Sequence, residues 1–139
     1  MSAASRAGTS ILRDRKGQNL VEFALLVPIL LLVVFGIAEF GRAWMTRNIL
    51  TGAAREAVRL AAVPAPAGGV TAASDRANAI LASAGITTAN VSVADAPAAF
   101  GPVSVTVTYD FPVVILGFIP GLDTSTFQLS STTTMRREY

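Results

Sequence analysis

From residue 20 to residue 40 the chain reads LVEFALLVPILLLVVFGIAEF, a run of 21 residues in which only Glu22 and Glu39 carry charge. At about 1.5 Å rise per residue such a run covers about 30 Å of helix, the hydrocarbon thickness of a bilayer. A helix that is apolar on every side has no polar face to give to water, so the pattern predicts a membrane-inserted helix. From residue 41 to residue 62 the pattern changes. In GRAWMTRNILTGAAREAVRLAA, Met45, Ile49, Ala53, Ala57 and Leu60 fall on one stripe of a 3.6-residue period, and Arg47, Thr51, Arg55 and Arg59 on another. Pro64 and Pro66, followed by Gly68 and Gly69, end the pattern. The expectation is one long helix, apolar all round in its first half and amphipathic in its second.

A shorter helix is expected over residues 71–84, with Ser74 or Thr71 as N-cap, Asp75 in the first turn and Gly85 as the stop. Three strand-like runs follow, at residues 90–94, 103–111 and 127–136. The middle one alternates strictly: Val103, Val105, Val107 and Tyr109 on one face, Ser104, Thr106, Thr108 and Asp110 on the other. Between the second and third strands lies PVVILGFIPG, residues 112–121, an apolar loop that reads equally as core cover or as a partner-binding patch. The 77 residues after Ala62 are few for an independent core without disulfides or metal. The amphipathic helix is the missing layer. The predicted fold is therefore α+β: a long N-terminal helix, a short second helix, and a three-stranded antiparallel sheet packed on the stripe Met45, Ile49, Ala53, Ala57, Leu60.

Composition narrows the chemistry. The 139 residues are 52% hydrophobic and 14% charged, and the apolar excess is concentrated in residues 20–40. The chain has no cysteine and no histidine, which removes thiolate chemistry, disulfide staples, zinc fingers and the Ser-His-Asp and Cys-His triads. Asp75, Asp95, Asp110 and Asp123 are too scattered for a calcium loop or an acid/base pair. No nucleophile-base constellation remains, so an enzyme, a bound cofactor and a small-molecule substrate are not expected. The net charge is +2, but four of the eleven basic residues, Arg6, Arg13, Arg15 and Lys16, precede residue 17. From Gln18 onward seven basic side chains face eight acidic ones. The basicity belongs to the leader rather than to a nucleic-acid surface. The row Arg47, Arg55, Arg59, with Glu56 interleaved and no stacking aromatics, reads as a solvated helix face.

The candidate functional residues lie where the leader meets the apolar run. Arg13, Arg15 and Lys16 are followed by Gly17 and then by Gln18-Asn19-Leu20-Val21-Glu22-Phe23. An ionised carboxylate in hydrocarbon costs at least a few kcal/mol (about 2.5–3.5 on insertion scales) unless it is paired, so Glu22 requires a reason. A cut after Gly17 supplies one, since the new amino group of Gln18 is a cation that Glu22 can accept. Further along, Pro28 removes the hydrogen bond to the Ala24 carbonyl and is a candidate kink. Glu39 with Arg42 at i+3, and Phe40 with Trp44 at i+4, are candidate membrane-interface anchors. Basic residues near the membrane number four on each side of the run, so charge counting alone leaves orientation even. The clustering of Arg13, Arg15 and Lys16 against the helix start favours a cytoplasmic N-terminus.

The run GQNLVEFALLVPILLLVVFGIAEFGR resembles the N-terminal segment of the TadE-like proteins, minor pseudopilins of the tight-adherence (Tad, Flp-type) pilus. Their prepilin peptidase site has the form glycine, four residues, glutamate and an aromatic. Gly17, Glu22 and Phe23 match that form, followed by Pro28, Phe35-Gly36 and Glu39-Phe40-Gly41-Arg42. The resemblance is dense over residues 17–62 and thins beyond. It implies a basic leader, residues 1–17, removed on the cytoplasmic side by a membrane aspartyl peptidase that finds an extended, accessible peptide at Gly17. It further implies a transmembrane and assembly helix at 18–40, an amphipathic extension at 41–63 and a small extracytoplasmic α+β domain at 64–139. The implied location is the bacterial inner membrane, and the implied partners are prepilin peptidase, other pilins or pseudopilins, the inner-membrane assembly platform and lipid.

Two other readings fit the same residues. Gly36 and Ala38 stand at −3 and −1 to a possible signal peptidase cut before Glu39, which gives a secreted binding module. Without any cut the chain is a single-pass, membrane-anchored envelope protein. The mature N-terminus separates them: Gln18, Glu39 or Met1.

Overall fold

A computed structural model describes residues 15–64, 68–95, 100–115 and 126–137. The elements in chain order are α1 (Arg15–Ala61), α2 (Val70–Ser83), β1 (Asn90–Asp95), β2 (Pro102–Pro112) and β3 (Thr126–Arg136). The chain divides into two compact units, Met1–Ile37 and Ala38–Tyr139.

The first unit contains the α1 residues up to Ile37. Its large apolar side chains are exposed, Leu20, Phe23, Leu26, Leu30 and Phe35 among them. The apolar helix has a mean hydropathy of 2.8 over its 18-residue window, none of that window is buried, and it is long and apolar enough to cross a membrane. The helix runs unbroken through Pro28. Arg15, Lys16 and Gly17 are helical, so the expected extended peptide at Gly17 is not seen. Glycine has no Cβ and pays most backbone entropy in a helix, so helical torsions at Gly17 are left easily. Of the basic leader, Arg13 lies outside the described residues.

The second unit is an α+β domain. Its sheet is an antiparallel meander in the order β1-β2-β3, with Val91 opposite Val107, Val105 opposite Thr133 and Phe111 opposite Phe127. Prolines stand only at the two ends of the central strand, where a missing N–H does least harm to the ladder. The alternation read from β2 is obeyed: Val103, Val105, Val107 and Phe111 are buried, and Asp110 is exposed. On the outer face the Thr106 and Thr132 hydroxyls meet at 2.9 Å.

The inward valines share one buried cluster with Leu50, Ala53, Ala54, Ala57, Val58, Ala61 and Ala62 at the end of α1 and with Ala73, Ala77 and Leu81 of α2. This corrects the expected stripe. Ala53 and Ala57 are buried, Ile49 and Leu60 only pack at the cluster's edge, and Met45 is 66% exposed. Leu50, Ala54 and Val58 take the central positions instead, so the buried face is turned by about one residue, or about 100°, toward them. Thr51, assigned to the polar face, accepts a hydrogen bond from Ser131 of β3 at 3.0 Å and donates to the Arg47 carbonyl at 2.9 Å. A hydroxyl at the seam is tolerated because both of its bonds are made.

The caps of α2 also differ from expectation. Gly69 is the N-cap, no side chain caps the helix, and no acidic residue lies in its first turn. Ser74 donates instead to the Thr71 carbonyl inside the helix. The turn before α2 is tight: Gly68 and Gly69 donate to the carbonyls of Pro64 and Leu60 at 3.1 and 3.0 Å. A Cβ on Gly68 would lie 2.4 Å from the Leu60 carbonyl oxygen and 2.5 Å from that of Val63, so only glycine fits. Gly85 closes α2 in the left-handed region, φ 76°, with the Ile86 amide donating back to Leu81 at 2.9 Å.

Candidate processing segment and membrane junction

In the first unit Gln18, Glu22 and Phe23 are helical positions of α1, all exposed. Residues four apart stand one turn above each other on the same helix face, with about 6 Å of rise between them. Gln18 and Glu22 therefore share a face. Among the described residues Glu22 makes no hydrogen bond and no ion pair. No protein group among them settles its charge.

The second unit treats Glu39 differently. Both Glu39 carboxylate oxygens accept from Arg42 Nη1, at 2.7 and 2.9 Å, and Oε1 also accepts from the Val114 amide at 3.1 Å. The Arg42 guanidinium lies over the Phe111 ring at 5.1 Å from its centroid, and Phe111 meets Phe127 at 5.3 Å with the rings tilted by 49°. The i+3 spacing of Glu39 and Arg42 is visible in the sequence, but their engagement of Val114, Phe111 and Phe127 is not. The apolar run after β2 was its faint signal. Phe40 and Trp44, four apart on α1, stack at 6.3 Å and 26°.

Elsewhere the charges are paired at the surface. Arg59 bonds Glu56 at 3.1 Å, and Arg76 of α2 approaches the same carboxylate at 3.8 Å. The hydrogen bond and charge of Arg59, with Arg76 adding a smaller share, hold the Glu56 carboxyl below its ordinary value, and Glu56 in turn raises Arg59. Arg47 and Arg55 are exposed on the same helix. Asp95, at the end of β1, pairs with Arg137 just past β3 across the central strand, a contact that only the strand register reveals. Among the described residues no group of three or more acidic side chains gathers where a metal ion could be held.

Residues 17–59 match the family model described as TadE-like protein. The match lies wholly within α1 and begins at Gly17. Over that stretch the chain is similar to the TadE-like family, whose members are related to the Tad pilus. No curated protein and no solved structure matches the chain.

Proposed function

Starting from a TadE-like helix, we propose that this chain is a minor pseudopilin-like structural subunit needed to assemble a Tad/Flp-type adhesion pilus. In this reading prepilin peptidase cuts after Gly17 at the cytoplasmic face, and the subunit stays in the inner membrane by its apolar helix until it joins other pilins and the assembly platform. The observation that carries the reading is the coincidence at one helix end: the family match opens on Gly17, and Glu22 stands one turn above Gln18 without a partner among the described residues.

The physical logic runs through charge. Cutting after Gly17 removes four basic residues and Asp14, leaving seven basic and eight acidic side chains, a net of −1. It also creates an ammonium at Gln18 in the plane where the helix enters the bilayer. Glu22 neutralises that ammonium, in its own helix at i+4 or in a neighbouring subunit. A desolvated pair of this kind contributes register more securely than net stability, because desolvation offsets much of the attraction. The scissile bond joins two helical residues, Gly17 and Gln18, so the peptidase must unwind the helix locally, and a glycine at that point lowers the cost of doing so.

The deciding experiment is the N-terminal sequence and intact mass of the protein recovered from cells with and without an active prepilin peptidase. A start at Gln18 that depends on the peptidase is expected. Met1 retained in its presence, or a start at Glu39, overturns the reading. Within it, Glu22→Ala is expected to be cleaved and to fail in co-assembly, and normal piliation by that variant would remove Glu22 from the account.

A further inference from the structure

The β2–β3 end of the domain carries more exposed apolar surface than a solvated sheet end requires. Phe40, Trp44 and Met45 of α1, Val114 after β2 and Phe127 at the start of β3 are all between 44% and 70% exposed. They come from three chain segments, and specific bonds hold those segments at one level. Val114 is tied to Glu39 by its amide, Phe111 of β2 lies under the Arg42 guanidinium, and Phe127 packs against Phe111.

Chain connectivity fixes what that level is. Phe40 is the last residue of the apolar run, so residues 39–45 emerge from the hydrocarbon. Seven helical residues rise about 9 Å, and the polar layer on each side of a bilayer is about 5–8 Å thick. Whatever is bonded to Glu39 and Arg42 lies in or beside that layer. The side chains present suit it: a stacked Phe-Trp pair, an arginine whose guanidinium lies on an aromatic ring, and a carboxylate whose charge is already met by three hydrogen bonds.

We propose that the β2–β3 end is a second lipid contact of the domain, with Val114 and Phe127 set into the interfacial layer of the outer leaflet beside Phe40 and Trp44. Arg42 presents its guanidinium to lipid phosphate there, and the Glu39 to Val114 bond is the clasp that brings the sheet end down to the membrane. The domain is then seated on the bilayer through two separate parts of the chain rather than tethered by its helix alone. This seat requires only that the apolar run spans a membrane. It is independent of processing at Gly17 and of pilus assembly.

The natural absence of cysteine makes the test direct. Single variants Val114→Cys and Phe127→Cys of the full chain are spin-labelled and reconstituted at high lipid excess into vesicles of phosphatidylethanolamine and phosphatidylglycerol. Asp75→Cys marks water and Leu30→Cys marks hydrocarbon. Collision rates with oxygen and with a water-soluble nickel chelate are compared. Labels at 114 and 127 are expected to favour oxygen over nickel several-fold more than the label at 75, with ratios between the two markers. Ratios equal to that at 75 overturn the proposal, and so does shielding from both reagents, which would place a protein partner on this surface. As a second readout, the only tryptophan in the chain, Trp44, is quenched by lipids brominated near the headgroup. Val114→Asp, a change at an exposed position, is expected to reduce that quenching, and unchanged quenching counts against the seat.

Discussion

Replacing Glu39 with alanine removes the acceptor of the Val114 amide together with both bonds from Arg42. The geometry ranks these losses. The Glu39 side chain keeps 14% of its exposure and the Arg42 side chain 48%, so the ion pair is wet at its cationic end. Exposed pairs of that kind contribute about 0.2–1 kcal/mol, whereas a hydrogen bond to a charged acceptor contributes about 1.5–3 kcal/mol. The greater loss therefore falls at Val114. A loss of about 1.4 kcal/mol corresponds to a tenfold faster exchange of its amide proton if exchange proceeds through local opening. Glu39→Gln keeps an oxygen acceptor without the charge, and about a threefold acceleration is expected from halving the bond. Arg42→Ala leaves the acceptor in place and should change Val114 exchange least of the three. Hydrogen exchange followed by NMR on the ¹⁵N-labelled chain in micelles reads all three variants at one residue. The ranking is refuted if Glu39→Ala leaves Val114 exchange at the wild-type rate, or if Arg42→Ala accelerates it more than Glu39→Ala does.

The buried phase of α1 is tested by a pair of truncations: Leu50→Ala, at a fully buried position, should cost about 2–4 kcal/mol in urea unfolding, and Met45→Ala close to nothing. Equal costs would restore the stripe read from periodicity. Gly68→Ala drives a methyl into the Leu60 and Val63 carbonyls and is expected to lower the midpoint of thermal unfolding, by about 4–8 °C for each kcal/mol lost in a domain of this size. Because the folded-state value of Glu56 is depressed, its contribution to stability is present above the unfolded value of 4.5 and is lost as pH falls through the folded one. Glu56→Gln should accordingly lose less stability than the parent between about pH 7 and about pH 3, by a small margin because the pair lies at the solvated surface, and a larger acid loss in the variant would reverse the sign.

The strands were legible because β2 alternates along its length with valine on one face and hydroxyls on the other, and a one-residue slip against its neighbours would mismatch that buried face with their polar one. The break between apolar and amphipathic helix was equally plain in the residues themselves. The phase of the second half was not. Ala53, Ala54, Ala57, Ala61 and Ala62 give little contrast in hydropathy, and the larger Met45 and Ile49 pull a periodicity reading toward a face that the sheet and α2 do not cover. The start of α2 was misplaced for a different reason. A side-chain cap was expected from Thr71 or Ser74, but the helix starts from Gly69, whose φ of 108° is set by the tight turn rather than by capping chemistry. The junction at Glu39 was half legible. Arg42 lies three residues away, whereas Val114 is 75 residues distant and no local pattern announces it.

Two carboxylates bracket the apolar run, and they are satisfied in opposite ways. Glu39 receives three hydrogen bonds from its own domain, so its charge is settled when the chain folds, and changing it should disturb the fold at Val114. Glu22 has no such partner among the described residues, and the cost of an unpaired carboxylate at the membrane does not vanish because the fold ignores it. In the proposed reading the compensating cation comes from processing or from another molecule. Under that proposal, cleavage after Gly17 generates one four residues before Glu22 on the same helix face, and a neighbouring processed subunit carries an identical one. In this account substitutions at Glu39 are read by stability and amide exchange, substitutions at Glu22 by assembly, and a variant that exchanged those two phenotypes would break the assignment at both ends.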